Sequence, residues 1–275
     1  MKEEKFTIWI PEQLAKVFQD DEPPEKIDNH VYISAAKNEY EVFQVAIKAK
    51  TGLKKVNANV GSLKHISGYT ITEENLKCNF VGLVPVKSIP AIESKNWVPE
   101  EDLVKTNPRF FPDPLLEDEI LSIPRGQTRS IWVTVRIPED APSGNYSGEV
   151  YVTADKEQAI VKVSLKVWNF ALPRESHMWL THWMFVESGC RAYKIQPWSE
   201  DCWKLIENYA DDMAAHRQNV ILTPLFSLIK IYNDGSDKLS FDFTEFDRWV
   251  SAFKSRGIPL IEGSHLAGRV SSDWT

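Results

Sequence analysis

The chain has 275 residues, 43% hydrophobic and 26% charged, which sets it among globular proteins with room for two domains. A net charge of −7 argues against a nucleic-acid partner, which favours a basic face. No apolar run reaches the ~20 residues of a membrane span, so no membrane partner is expected.

Met1 is followed by Lys2, Glu3, Glu4 and Lys5, and no signal peptide is visible. The chain as it stands reads as cytoplasmic, or as secreted if an upstream signal has been removed. From Met1 to about Pro173 the pattern is one of short β candidates punctuated by turns. They are Val31–Ala36, Glu41–Lys48, Lys55–Val60, Tyr69–Thr72, Leu76–Val86, Arg129–Ile137, Glu149–Thr153 and Ala159–Val167. Ile131, Val133, Val135 and Ile137 alternate with polar residues, as do Val161, Val163, Leu165 and Val167. Such alternation marks strands with one wet face, and about eight of them with regular turns predict a two-sheet antiparallel sandwich. The stretch Ala141–Gly148 has the proline and glycine of a chain reversal. Ser88 to Pro124 carries six prolines with Trp97, Phe110 and Phe111, and reads as a long irregular segment. Pro173 ends the last sandwich strand.

Beyond it, from about Ser176 to Thr275, the periodicity shifts toward 3.6 and the order reads strand–helix–strand–helix–strand. Met178–Phe185 is a nearly continuous apolar run and predicts a covered parallel strand. Glu187 to Cys190 reads as a loop. Ser199 N-caps a helix with Glu200 and Asp201 in its first turn and a stripe of Trp203, Ile206, Tyr209, Ala210 and Met213, ending near His216 and Arg217. Asn219–Thr223 is the second strand. Ile229–Phe241 reads as a hairpin turning at Asn233-Asp234-Gly235. Thr244 caps a second helix that buries Phe246, Trp249, Val250 and Phe253 and stops at Gly257-Ile258-Pro259. Leu260–Glu262 is the third strand. The predicted fold is therefore multidomain, β plus α/β. An antiparallel β-sandwich over 1–173 precedes the first three βα units of an incomplete (β/α)8 barrel over 174–275. A complete barrel takes roughly 250 residues, so further βα units are expected beyond Thr275, and an unpaired apolar edge on the third strand.

The three cysteines, Cys78, Cys190 and Cys202, suggest neither a disulfide framework nor a zinc site and read as buried or idle thiols. His182, His216 and His265 are too scattered for a metal. No cofactor is implied.

Several segments together resemble glycoside hydrolase family 123. They are Ala35 through Gln44, Phe111-Pro112-Asp113-Pro114-Leu115, Trp132-Val133-Thr134-Val135 and Pro138 through Gly148. They continue with Val167 through Pro173, His216-Arg217-Gln218-Asn219, Phe241 through Arg248 and Ile261 through Arg269. The resemblance implies a sandwich followed by a catalytic barrel, and a glycan or amino-sugar substrate. It implies hydrolysis of β-linked N-acetylgalactosamine in which the sugar's own acetamido oxygen attacks the anomeric carbon. An adjacent Asp-Glu pair on a later strand then orients that group and moves the proton. Asp21-Glu22-Pro23 has the right letters but lies in a polar turn, and Asp118-Glu119 lies in the proline-rich stretch. Neither fits, so no catalytic residue is assigned and the chain alone is expected to be inactive.

Barrel active sites gather at the C-terminal ends of the strands. That rule points to His182, Trp183 and Glu187 after the first strand, Thr223 after the second, and Glu262, His265 and Arg269 after the third, as substrate-binding residues. An acid closing an apolar strand is costly unless it is used or paired, which puts Glu262 first. The alternative is a noncatalytic carbohydrate-binding or structural module in which the sandwich is the working part.

Overall fold

The computed structural model describes residues 4–86, 109–233, 235 and 238–266. The chain divides into two units, Met1–Pro173 and Arg174–Thr275.

The first unit is built from strands β1 (Phe6–Trp9), β2 (His30–Lys37), β3 (Tyr40–Ala49), β4 (Leu53–Val60), β5 (Leu63–His65), β6 (Thr70–Ile71), β7 (Leu76–Val86), β8 (Arg109–Leu116), β9 (Leu121–Ile123), β10 (Thr128–Arg136), β11 (Gly144–Ala154) and β12 (Glu157–Ala171). One sheet runs β1-β3-β10-β7-β8 and the other β2-β12-β11-β4-β9, with β5 attached to β11 and β6 to β5. The alternation legible in the sequence is the alternation of burial. Ile131, Val133 and Val135 of one sheet and Val150, Val152, Val161 and Val163 of the other meet in a single core. Burial of each such side chain contributes about 1.5–3 kcal/mol.

The expected antiparallel pairing holds except at one place: β2 runs parallel to β12, from His30 opposite Lys162 to Ala35 opposite Val167. The predicted irregular segment also needs correction. Arg109–Leu116 is a strand, paired antiparallel with β7 across a register shift. Pro112 and Pro114 are tolerated because β8 lies at the sheet's edge, where missing N–H donors break no ladder. Trp97 lies outside the described residues. The predicted reversal before β11 is fixed by the Tyr146 hydroxyl, which donates to the Pro142 carbonyl at 2.7 Å. Gly144 there takes φ 137°, and a Cβ on it would collide with the His65 ring.

The second unit contains α1 (Val186–Tyr193), α2 (Glu200–Ala215), β13 (Val220–Thr223), α3 (Leu225–Leu228), β14 (Lys230–Asn233), β15 (Leu239–Asp242), α4 (Thr244–Lys254) and β16 (Leu260–Gly263). β13 and β16 pair in parallel, Val220 opposite Leu260 through Thr223 opposite Gly263. α1, α2 and α4 cover one side of this pair, burying Cys190, Trp203, Ile206, Ile221, Trp249 and Phe253 in one cluster. Arg256 binds α4 to α2, its guanidinium donating to Asp211 at 2.9 Å and Glu207 at 3.1 Å.

Three local expectations change here. Met178–Phe185 is not a strand: its extended backbone makes one parallel bridge, Thr181 to Val220. Glu187 to Cys190 is not a loop but part of α1. The N-cap position of α4 is Phe243, not Thr244, and the Asp242 carboxylate before it accepts from the Thr244 hydroxyl and N–H at 2.6 and 2.9 Å. Those bonds, the hydroxyl's first, pull the Asp242 carboxyl below its usual range. Ser199 does cap α2, accepting from the Cys202 N–H at 3.3 Å.

Candidate functional site

The segment 176–183 forms no continuous ladder: at the Thr181–Val220 bridge the Leu180 carbonyl accepts from the Asn219 and Val220 N–H groups, both at 3.2 Å, and side chains supply further anchors. Asn219 accepts from the Leu180 N–H at 2.8 Å and donates to the Met178 carbonyl at 3.0 Å. Gln218, buried just before β13, donates to the His182 carbonyl at 3.3 Å and to the Val220 carbonyl at 2.8 Å. The Thr181–Val220 bridge sets the parity of the segment, and these two amides hold it in that register. Thr181 and Trp183 consequently project to one side and His182 to the other.

On that side they meet Glu262. The Thr181 hydroxyl donates to Glu262 Oε2 at 3.1 Å and the Trp183 indole N–H donates to the same oxygen at 3.4 Å. Glu262 stands opposite Leu222 in the register, so it shares the face that Val220 and Leu222 present, away from the helices. Trp183 is 54% exposed, and its ring lies edge-to-face with His265 at 6.1 Å. A half-buried carboxylate, an exposed indole and an imidazole thus sit together at the C-terminal end of the parallel pair. The carboxylate and imidazole suit sugar hydroxyls, and the indole suits the apolar face of a pyranose ring.

The other candidates lie elsewhere. Thr223 is fully buried on the helix side: its hydroxyl accepts from the Trp249 indole at 3.1 Å and donates to the Ile221 carbonyl at 3.3 Å. Glu187 is exposed in the first turn of α1 and, among the described residues, shares no hydrogen bond with the cluster. His182 is exposed and, among the described residues, joins the arrangement through its backbone carbonyl. Arg269 lies outside the described residues. Thr181, Gln218 and Asn219 were not among the sequence candidates. Their signal was a pair of amide side chains immediately before an apolar strand.

Asp21 and Glu22 hold the first unit together. The Phe18 N–H donates to the Asp21 carboxylate at 2.8 Å, and Lys48 pairs with Glu22 at 2.6 Å. Asp118 and Glu119 lie just before β9, with the Glu119 carbonyl accepting from Asn57. Among the described residues no three His, Cys, Asp or Glu side chains converge as metal ligands, and no helix is long and apolar enough to cross a membrane.

Two stretches of the chain match known protein families. Residues 16–154 match the glycoside hydrolase 123 N-terminal domain, and residues 183–267 match the glycoside hydrolase 123 catalytic domain. The fold matches that of a family 123 glycoside hydrolase from Clostridium perfringens that acts in glycolipid glycan hydrolysis. The TM-score is 0.78 at 18% identity, over 93% of this chain and 46% of that one. The chain therefore spans about half the length of that enzyme. The CooA pilin subunit of enterotoxigenic Escherichia coli shares 12% identity over 54% of this chain and 92% of its own, with a TM-score of 0.29, too slight to bear on function. No curated protein matches. The second unit is a short β/α segment consistent with the start of a catalytic domain, and both segments match in order. On the strength of the N-terminal match, which alone spans half the sequence, this chain belongs to glycoside hydrolase family 123.

Proposed function

We propose that this chain is the region of a family 123 glycoside hydrolase that contributes the substrate-gripping wall for a terminal β-linked N-acetylgalactosamine residue of a glycan. The observation that carries this reading is Glu262, held at the end of a parallel strand by the Thr181 hydroxyl and the Trp183 indole. Both donors fall on Oε2, which aims the carboxylate and, among the described residues, leaves Oε1 for a sugar hydroxyl. Trp183 supplies a stacking surface beside it. The reaction class that goes with the family resemblance is substrate-assisted retaining hydrolysis, in which the acetamido oxygen is the nucleophile. The acidic pair it needs is assigned to neither Asp21-Glu22 nor Asp118-Glu119, because the first is committed to a turn and the second borders a short strand in the sandwich.

This reading expects the chain to bind the sugar without turning it over. The test is titration of N-acetylgalactosamine and its β-methyl glycoside by calorimetry or ligand-observed NMR. A parallel assay follows release of nitrophenol from the β-nitrophenyl glycoside. Trp183→Ala and Glu262→Gln should each weaken binding at least ~10-fold, the loss of one charge-assisted bond or one stacking contact. Unchanged binding in both variants would refute the site, and brisk nitrophenol release would refute the division of labour.

One observation favours the module reading. The outer face of the sandwich carries an open groove of about 680 Å³ lined by Tyr32, Lys64, His65, Ser147, Ser164 and Lys166. Tyr32→Ala in the same titration separates the two. If Tyr32→Ala abolishes binding and Trp183→Ala does not, the sandwich is the working part.

A further inference from the structure

Cys190 of α1 and Cys202 in the first turn of α2 are both fully buried in the helix-side cluster. Their sulfur atoms lie 2.6 Å apart as unlinked thiols. A thiol is a weak donor and a weak acceptor, so hydrogen bonding alone gives little reason for so close an approach. A covalent S–S bond is about 2.05 Å.

The chain between them is folded to produce this meeting. Lys194 takes φ 56° and ends α1, and Trp198 takes φ 62°. The Ile195 N–H bonds to the Cys190 carbonyl at 2.8 Å. At the other end the Cys202 N–H bonds to the Ser199 hydroxyl at 3.3 Å. Each cysteine therefore has its own backbone tied into the turn that joins the two helices. Trp203 beside Cys202 packs against Trp198 and Trp249, which locks the turn from behind.

We propose that Cys190 and Cys202 are the site of an intramolecular disulfide that staples α1 to α2. The oxidant is an exogenous disulfide, either a small-molecule one such as oxidised glutathione or a protein dithiol–disulfide carrier. One cysteine, as thiolate, attacks a sulfur of that disulfide, and one thiolate leaves. The second cysteine, also as thiolate, attacks the mixed disulfide at the protein sulfur, the intramolecular S–S bond forms, and the second thiolate leaves. The two protons lost by the cysteines and the two electrons end on the oxidant as two thiols. The exchange belongs to the folding chain: once the pair is buried, desolvation, and then the Cys202 contact, push the Cys190 thiol up, and a neutral thiol is a poor nucleophile. Cys78, in the other unit, takes no part.

The test is to refold the full chain in a mixture of oxidised and reduced glutathione, then denature and alkylate it without further reductant. The expected result is one labelled cysteine of the three, Cys78, and a proteolytic Cys190–Cys202 cross-linked peptide that dithiothreitol removes. Urea unfolding followed by helical circular dichroism should move to lower denaturant on reduction. In Cys202→Ser, two cysteines label and the dithiothreitol effect disappears. Three labelled cysteines in the wild-type chain, a cross-link that uses Cys78, or a cross-link whose reduction leaves the midpoint unchanged would each overturn the proposal. The wild-type measurements decide the matter even if Cys202→Ser fails to fold.

Discussion

Thr223→Val separates a structural threonine from a sugar-binding one. The hydroxyl sits with the Trp249 indole N–H at 3.1 Å, and neither residue is exposed. Valine keeps the shape and removes the acceptor, leaving a buried indole N–H without a partner. Such an orphan costs about 1–3 kcal/mol. The extra methyl group offsets little of this, because the site is already filled. In a unit of this size each kcal/mol moves Tm by ~4–8 °C. All the described α-helices belong to the second unit, so circular dichroism of helix during urea unfolding reports on it selectively. Linear extrapolation then gives the difference between variants. Trp249→Phe removes the donor, so the double variant should be less destabilised than the two singles added together, with a coupling of about 1 kcal/mol. Titration with N-acetylgalactosamine should be unaltered in Thr223→Val. A variant as stable as the parent but impaired in sugar binding would refute the assignment and return Thr223 to the site.

In the sandwich, Gln44 donates to the Gln13 and Ala15 carbonyls at 2.9 Å and accepts from the Ser130 hydroxyl at 2.6 Å. Gln44→Leu should cost about 2–4 kcal/mol, since several buried partners lose their bonds together, and denaturant unfolding followed by near-ultraviolet dichroism measures it. Ser199→Ala removes the α2 cap and should lower helical stability by about 1 kcal/mol, with Ser199→Asp restoring it. The first unit should lose stability in alkali. Burial, ahead of the neighbouring Tyr69 and Asp140, pushes the Tyr146 hydroxyl up to about 12, and burial pushes the Cys78 thiol up to about 12. Both native pKa values exceed their unfolded ones. The stabilisation is therefore intact below about pH 9 and is lost as pH rises through about 12. Unfolding midpoints across that range should fall for the parent and fall less for a Tyr146→Phe/Cys78→Ala double variant.

The parts of the fold visible in the sequence are those whose pattern is local. Ile131, Val133 and Val135 alternate whatever they pair with, and Ser199-Glu200-Asp201 opens a helix in any context. The missed elements depend on distant partners. β1 is four residues long, and its strand character comes from lying against β3. β8 carries two prolines and is a strand because it borders β7 on an open edge. α1 contains Ser188 and Gly189, both poor helix formers, and is held by Val186 and Cys190 docking in the helix-side cluster.

The site was legible only up to a parity. A parallel strand covered on both faces is apolar at every position, so the sequence marks its end but not which residues face which side. A one-residue change of parity exchanges the two faces completely. In β13, Ile221 and Thr223 turn to the helices, while Val220 and Leu222 share the face of Glu262. Had the parity been reversed, Thr223 would stand beside Glu262 and Leu222 would pack under Trp249. The Thr181–Val220 bridge sets the parity of the 176–183 backbone, and the Gln218 and Asn219 side chains hold it there, so that Thr181 and Trp183, not His182, stand over the carboxylate. Replacing Asn219 should therefore damage sugar binding without touching the sugar, because its side chain anchors the backbone that carries Thr181 and Trp183.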